Sequence, residues 1–178
     1  LISIVKHADI GVLICDERFR AVAAELMPHL PNARLIDIAD SGAPPESLTY
    51  SELLESSPSL PFEAEGTALA SIFYTGGTTG APKGVMHSND GMVMQCMNML
   101  AELRFTDASV HLHVSPMFHL ADCMTGHVVT YACGTHTFLP VFDPSAVRKS
   151  IREEGTNALL MVPTMLTALI DTDDDSEK

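Results

Sequence analysis

The chain has 178 residues, 46% of them hydrophobic, and a mean hydropathy of +0.17, which supports a packed core rather than disorder. A formal charge of −13 with a pI near 4.8 argues against a nucleic-acid partner, because phosphate backbones need a basic surface; a single nucleotide is still admissible, since one local site on an acidic protein can be positive. No apolar run reaches the roughly 18 residues of a membrane span, and the opening LISIVKHADIG lacks the basic region and cleavage site of a signal peptide.

In chain order, GVLICD (11–16) is a short apolar run of strand type, and ERFRAVAAELMPHL (17–30) follows with helical spacing. Phe19, Val22, Ala23, Leu26 and Met27 share one face of that helix. ARLIDIA (33–39) is a second strand and SGAPPES (41–47) a loop. TYSELLESS (49–57) predicts a short helix with a capping box between Thr49 and Glu52. After a loop at 57–66, LASIFYT (69–75) reads as a strand apolar enough to be buried on both faces.

Ser88 or Asn89 caps a helix running to about Arg104. SVHLHVS (109–115) alternates as a strand does, a helix covers 120–133, and THTFLPV (135–141) is a strand that Pro140 ends. Asp143 caps a helix that starts at Pro144 and stops at Gly155. NALLMV (157–162) is the last strand and PTMLTALID (163–171) the last helix. This gives about six strands alternating with about six helices. The fold class expected is therefore α/β, a mostly parallel sheet covered by helices on both faces.

Cys15, Cys96, Cys123 and Cys133 form no CxxC pair and lie in apolar surroundings. They are expected to be reduced, buried thiols in a cytoplasmic protein.

The densest chemical signal is TGGTTGAPKGV (75–85), directly after an apolar strand. A parallel strand ending in a glycine-rich loop aims that loop at the ligand side of the sheet. Gly76, Gly77 and Gly80 let backbone N–H groups approach a ligand closely. Thr75, Thr78 and Thr79 add hydroxyl donors, and Lys83 a mobile positive charge. Each of these residue types suits a polyphosphate. A Walker A loop does not fit, because Pro82 precedes Lys83 and Gly84 follows it, and GxGxxG is absent.

This loop closely resembles the phosphate-binding loop of the adenylate-forming (AMP-binding) superfamily, with Gly76 where serine is commonest. SPMFHLAD (115–122) resembles that family's aromatic and histidine turn at the acyl pocket, and the stretch 143–166 resembles the helix, strand and VPTM that follow. The resemblance is closest to acyl-CoA synthetases, also called fatty-acid–CoA ligases. The superfamily's later motifs, which bind magnesium, adenine and ribose and carry a C-terminal lysine, are not found, so the chain looks like an internal fragment of the N-terminal domain. Within it, a small lobe at 1–45 would precede a phosphate-loop and acyl-pocket region at 66–171.

What the resemblance implies is an acid–thiol ligase with ATP, Mg²⁺ and CoA as cofactor and co-substrates. The enzyme would activate a carboxylic acid, fatty or aryl, as an acyl-adenylate and pass it to CoA. Thr75, Gly76, Gly77, Thr78, Thr79, Gly80 and Lys83 would grip the β- and γ-phosphates, and Lys83 and His119 would be the catalytic pair. Met117, Phe118 and His119 would border the acid, and the magnesium ligand would lie outside this stretch. Two other readings stay open: an amino-acid adenylation domain, and a non-catalytic nucleotide-binding domain.

The remaining histidines and methionines carry less. His111 and His113 share one strand face, which invites a metal reading with His119. Without an identifiable third ligand and ordered surroundings, no metal is assigned. Met92, Met94, Met97 and Met99 read as core rather than as a binding surface, with an acyl tunnel the lesser option. A segment cut from a larger domain would expose apolar surface, so a homo-oligomer is expected.

Overall fold

The structure, a computed structural model, describes residues 1–39, 42–56, 63–76, 80 and 82–172. Gly77, Thr78 and Thr79 of the glycine loop, part of the loop at 57–66 and the acidic stretch 173–178 lie outside the described residues. The chain divides into two compact units: Leu1–Glu65 with Ser71–Met86, and Gly66–Ala70 with His87–Lys178.

In the first unit, α1 (Ile2–His7) precedes β1 (Val12–Cys15), α2 (Arg20–Leu26), β2 (Arg34–Asp37), β3 (Leu48–Thr49) and α3 (Tyr50–Glu55). The three strands are parallel in the order β1-β2-β3, with Leu13 opposite Leu35 and Cys15 opposite Asp37. That register places Leu13, Cys15 and Leu35 on one face. Val5 of α1 and Ala23 and Leu26 of α2 pack there. The other face is open, with Val12 48% and Ile14 60% exposed. Among the described residues, α1 and α2 thus cover one side of this sheet only. Phe19, expected on the packed face of a single helix, is 55% exposed. It lies in a 3₁₀ turn, Glu17–Phe19, ahead of α2, where the change of pitch moves it off the stripe. The Thr49–Glu52 capping box is present: the Glu52 N–H donates to Thr49 Oγ1 at 3.2 Å, and the Thr49 N–H donates to Glu52 Oε2 at 2.8 Å.

β4 (Leu69–Thr75) pairs with β5 (Lys83–Ser88) in a two-stranded sheet. The expectation that β4 is buried on both faces is corrected, for Leu69 is 56% exposed and no β4 residue is fully buried. Among the described residues β4 has one neighbouring strand only. β5 itself carries no clear strand signal in the sequence, because a lysine and a glycine open it. The glycine is required there: a Cβ on Gly84 would lie 2.7 Å from Ile72 Cγ2 and 3.3 Å from Tyr74 Cζ.

In the second unit, α4 (Asn89–Leu103), β6 (Val110–His113), α5 (Leu120–Tyr131), β7 (Thr135–Phe138), α6 (Pro144–Lys149), β8 (Ala158–Leu159) and α7 (Pro163–Asp171) follow one another. The sheet is parallel in the order β7-β6-β8. β6 is central and has helices on both sides. Leu112 packs with Val147 of α6 and Leu169 of α7, while His111 and His113 point towards Asp122 of α5. Met92 and Cys96 of α4 pack on Met124 and Val128 of α5. Local signals place the helix ends: Ser88 Oγ accepts from the Gly91 N–H at 3.2 Å, Asp143 Oδ1 accepts from the Ala146 N–H at 2.7 Å, and Gly155 stops the following π-helical turn at φ 73°. The expected strand 157–162 shortens to β8, two residues long.

The architecture is α/β with parallel sheets and helices, and among the described residues its parallel three-stranded pairings fall in two sheets rather than one. Among the described residues, no helix is long and apolar enough to cross a membrane.

Candidate nucleotide and acid site

Thr75 is the last residue of β4 and Lys83 the first of β5, so both ends of the glycine loop are held by one strand pair. The Thr75 hydroxyl donates to the Lys83 carbonyl at 3.4 Å, a long bond that closes the loop. The Lys83 side chain is exposed. A Cβ added at Gly76 or at Gly80 would meet no atom within 4 Å. Space for a ligand therefore surrounds the described part of the loop, with a cation at its edge, as polyphosphate binding needs. Gly77, Thr78 and Thr79 lie outside the described residues.

The second unit holds the residues expected to border the acid. Met117, Phe118 and His119 form the turn between β6 and α5, and His119 occupies the N-cap position of α5 without a side-chain capping bond. Its N–H donates to the Pro116 carbonyl at 3.0 Å, and its ring lies 4.5 Å from that of Phe118. Phe118 is 77% exposed. His119 is exposed too, so its ring is free to turn towards a ligand.

Behind the turn lies a cavity of about 690 Å³, walled by Met92 and Cys96 of α4, Met117, Tyr131 of α5, and His136 and Phe138 of β7. A second, of about 680 Å³, runs between Met92, Gln95 and Met99 of α4 and Leu120 and Met124 of α5. Both fall in the size range of small-molecule pockets. The methionine series therefore divides: Met92 and Met99 line cavities and core, while Met94 and Met97 face solvent.

The cysteines are free; Cys15 and Cys96 are buried, but Cys123 is half-buried and Cys133 is exposed. It follows the end of α5 with φ 59°, in a left-handed turn that carries its side chain outward. Burial raises the Cys15, Cys96 and Cys123 thiols above their ordinary pKa, which favours the protonated form.

Sequence reasoning did not single out Asp122, which the structure places against His111 and His113. The carboxylate is fully buried, with its Oδ2 2.8 Å from His113 Nδ1 and its Oδ1 3.5 Å from His111 Nε2. His113 Nε2 lies 2.9 Å from His136 Nδ1, and His136 Nε2 lies 3.0 Å from Thr130 Oγ1. Burial, and then the neighbouring His113, push the His111 imidazole below its ordinary pKa; the same two causes act on His136. His119 stands exposed at the head of α5 and is not the third member of this group.

The family model described as AMP-binding enzyme matches residues 1–178, and the chain belongs to that family. It is 28% identical over 179 residues to 4-hydroxybutyrate–CoA ligase 2 of Metallosphaera sedula, an alignment covering 94% of this chain and 32% of that protein. The crystal structure of a putative long-chain-fatty-acid CoA ligase from Rhodopseudomonas palustris superposes with a TM-score of 0.87 at 19% identity, over 99% of this chain and 44% of the other. ATP-bound MatB from Rhodopseudomonas palustris superposes with a TM-score of 0.79 at 27% identity, over 96% of this chain and 33% of that one. The chain thus spans about a third of the length of the curated relatives it matches.

Proposed function

We propose that this chain is the phosphate-gripping and acid-bordering part of an ATP-dependent acyl-CoA ligase acting on a fatty or aryl carboxylic acid. The observation that carries the reading is the loop between Thr75 and Lys83. Its described glycines, Gly76 and Gly80, are exposed, its ends are joined by the Thr75–Lys83 hydrogen bond, and Lys83 is an exposed cation at its edge. Family membership and the names of the relatives support it.

In the first step a carboxylate oxygen attacks the α-phosphorus of ATP and pyrophosphate leaves. In the second the CoA thiolate attacks the acyl carbon and AMP leaves. Charge builds on the departing pyrophosphate, and neutralising it is the task of Lys83 and of loop donors including Thr75. Gly76 and Gly80 admit the phosphates because, among the described residues, nothing occupies the space that a side chain would fill. Gly77, Thr78 and Thr79 belong to the same grip by resemblance. His119, with Met117 and Phe118, borders the carboxylate, and the cavity behind Met117 accepts the apolar part of the acid. Mg²⁺ would shield the triphosphate, and no residue of this chain is assigned to it. The setting proposed is the cytoplasm.

The test uses the protein at the length of its relatives, incubated with ATP, Mg²⁺, CoA and a panel of short, medium, long and aryl acids. AMP and acyl-CoA should form together for one class of acid. Acid-dependent pyrophosphate release without an acyl-CoA product would point to an acceptor other than CoA, and no release with any acid would contradict the reading.

A further inference from the structure

We propose that His111, His113 and Asp122 form a buried site for one divalent transition-metal ion, zinc by the chemistry of its donors. The inference rests on hydrogen-bond accounting inside the second unit. His111 is fully buried and neither of its ring nitrogens has a hydrogen-bond partner; Asp122 Oδ1, equally buried, has none either. Orphaned polar atoms in a core cost stability unless something fills the space between them.

The neighbouring chain of bonds identifies that something as a cation. Thr130 has a single hydroxyl proton, and its Oγ1 lies 2.9 Å from the Gly126 carbonyl and 3.0 Å from His136 Nε2. The carbonyl can only accept. With the hydroxyl donating to it, His136 Nε2–H donates to Thr130, and His136 Nδ1 accepts from His113 Nε2–H. His113 Nδ1 then presents a lone pair to the Asp122 carboxylate at 2.8 Å. Two acceptors at that distance need a positive charge between them. A proton there would satisfy this pair but would leave His111 Nε2 and Asp122 Oδ1 without partners. One metal ion bound by His113 Nδ1, His111 Nε2 and Asp122 takes up these three, and of the orphaned atoms in the cluster leaves His111 Nδ1 alone unpaired.

The dimensions fit. Metal–ligand bonds of about 2.0–2.2 Å put tetrahedral ligands about 3.4 Å apart. His111 Nε2 and Asp122 Oδ1 stand at 3.5 Å, and the three donor groups lie within 4.8 Å of one another. Two imidazoles and one carboxylate suit zinc and its first-row neighbours better than magnesium or calcium. His136 is then a positioning residue, holding the far nitrogen of a ligand histidine as such partners do. The larger cavity borders the cluster at Gly126 and His136, and so offers a route in. None of the three ligands belongs to the loop or turn assigned to the nucleotide and acid.

The experiment strips the tag-free whole chain with a chelator and titrates it with Co²⁺ and then Zn²⁺. It reads stoichiometry, visible ligand-field absorption and the thermal midpoint. One equivalent should bind with nitrogen and oxygen ligation and raise the midpoint. His111→Leu and Asp122→Asn should abolish that equivalent, and His136→Ala should weaken it about 10- to 100-fold. Cys133→Ser, at an exposed thiol, should change nothing. The wild-type titration decides even where a variant fails to fold. Sub-stoichiometric uptake by the wild-type chain, a thiolate charge-transfer band, or full binding by folded His111→Leu would each overturn the proposal.

Discussion

Arg20 and Asp37 are joined side by side across the first unit. Arg20 Nε donates to Asp37 Oδ2 at 2.6 Å, and its Nη2 donates to Oδ1 at 3.3 Å, which also accepts from the Ala39 N–H at 2.9 Å. The pair ties α2 to β2 at a carboxylate with no solvent exposure. The Arg20 guanidinium, and after it the Ala39 N–H, hold the Asp37 carboxyl below its ordinary pKa of 3.8. A carboxyl depressed in the folded state adds stability above the unfolded pKa and loses it as pH falls through the folded value. Urea unfolding of the wild-type chain should therefore be flat in this contribution above about pH 4 and weaken below it. Asp37→Asn should be less stable at pH 7 and show a shallower acid limb; equal acid limbs would remove Asp37 from the account.

Two backbone positions predict opposite changes. A Cβ at Gly134 would sit 2.9 Å from the Ser109 carbonyl oxygen and 3.1 Å from Val129 Cγ1. Backbone cannot yield cheaply there, so Gly134→Ala should cost about 1–3 kcal/mol. Arg104 caps α4 at φ 56°, its N–H donating to the Leu100 carbonyl at 2.9 Å. Arg104→Gly should relieve that left-handed strain and gain about 0.5–1 kcal/mol. Denaturant midpoints at constant m-value check both.

His119 heads α5 without a side-chain bond to the helix and is exposed. His119→Ala should leave the unfolding midpoint within about 0.5 kcal/mol of wild type. In the protein at its relatives' length it should lower acyl-CoA formation about 10- to 100-fold, the scale of a misplaced reacting group. An unchanged rate would reduce His119 to a loop residue.

Much of the fold is legible because its signals are local. The Thr49–Glu52 box, the Ser88 and Asp143 caps and the Gly155 stop each act within a few residues, and each stands where the sequence predicts it. β5 was hidden because its strand character comes from pairing with β4, not from its own opening residues. The open face of β1 was hidden too, since Val12 and Ile14 are as apolar as buried residues. In the site, the loop reads directly from its glycines, threonines and lysine. Asp122 does not: nine residues separate it from His113, and only the packing of α5 on β6 brings them to 2.8 Å. A lone aspartate in an apolar helix was the one available signal.

The central claim is that the loop ending at Lys83 neutralises the departing pyrophosphate. ATP–pyrophosphate exchange, driven by the acid that the panel identifies, tests it most directly in the protein at its relatives' length. Lys83→Ala should lower exchange about 10- to 1000-fold, as loss of a transition-state charge partner does, with an unfolding midpoint close to wild type because the side chain is exposed. An exchange rate equal to wild type in the folded variant would contradict the account and leave residues 75–85 a structural connection between two strands.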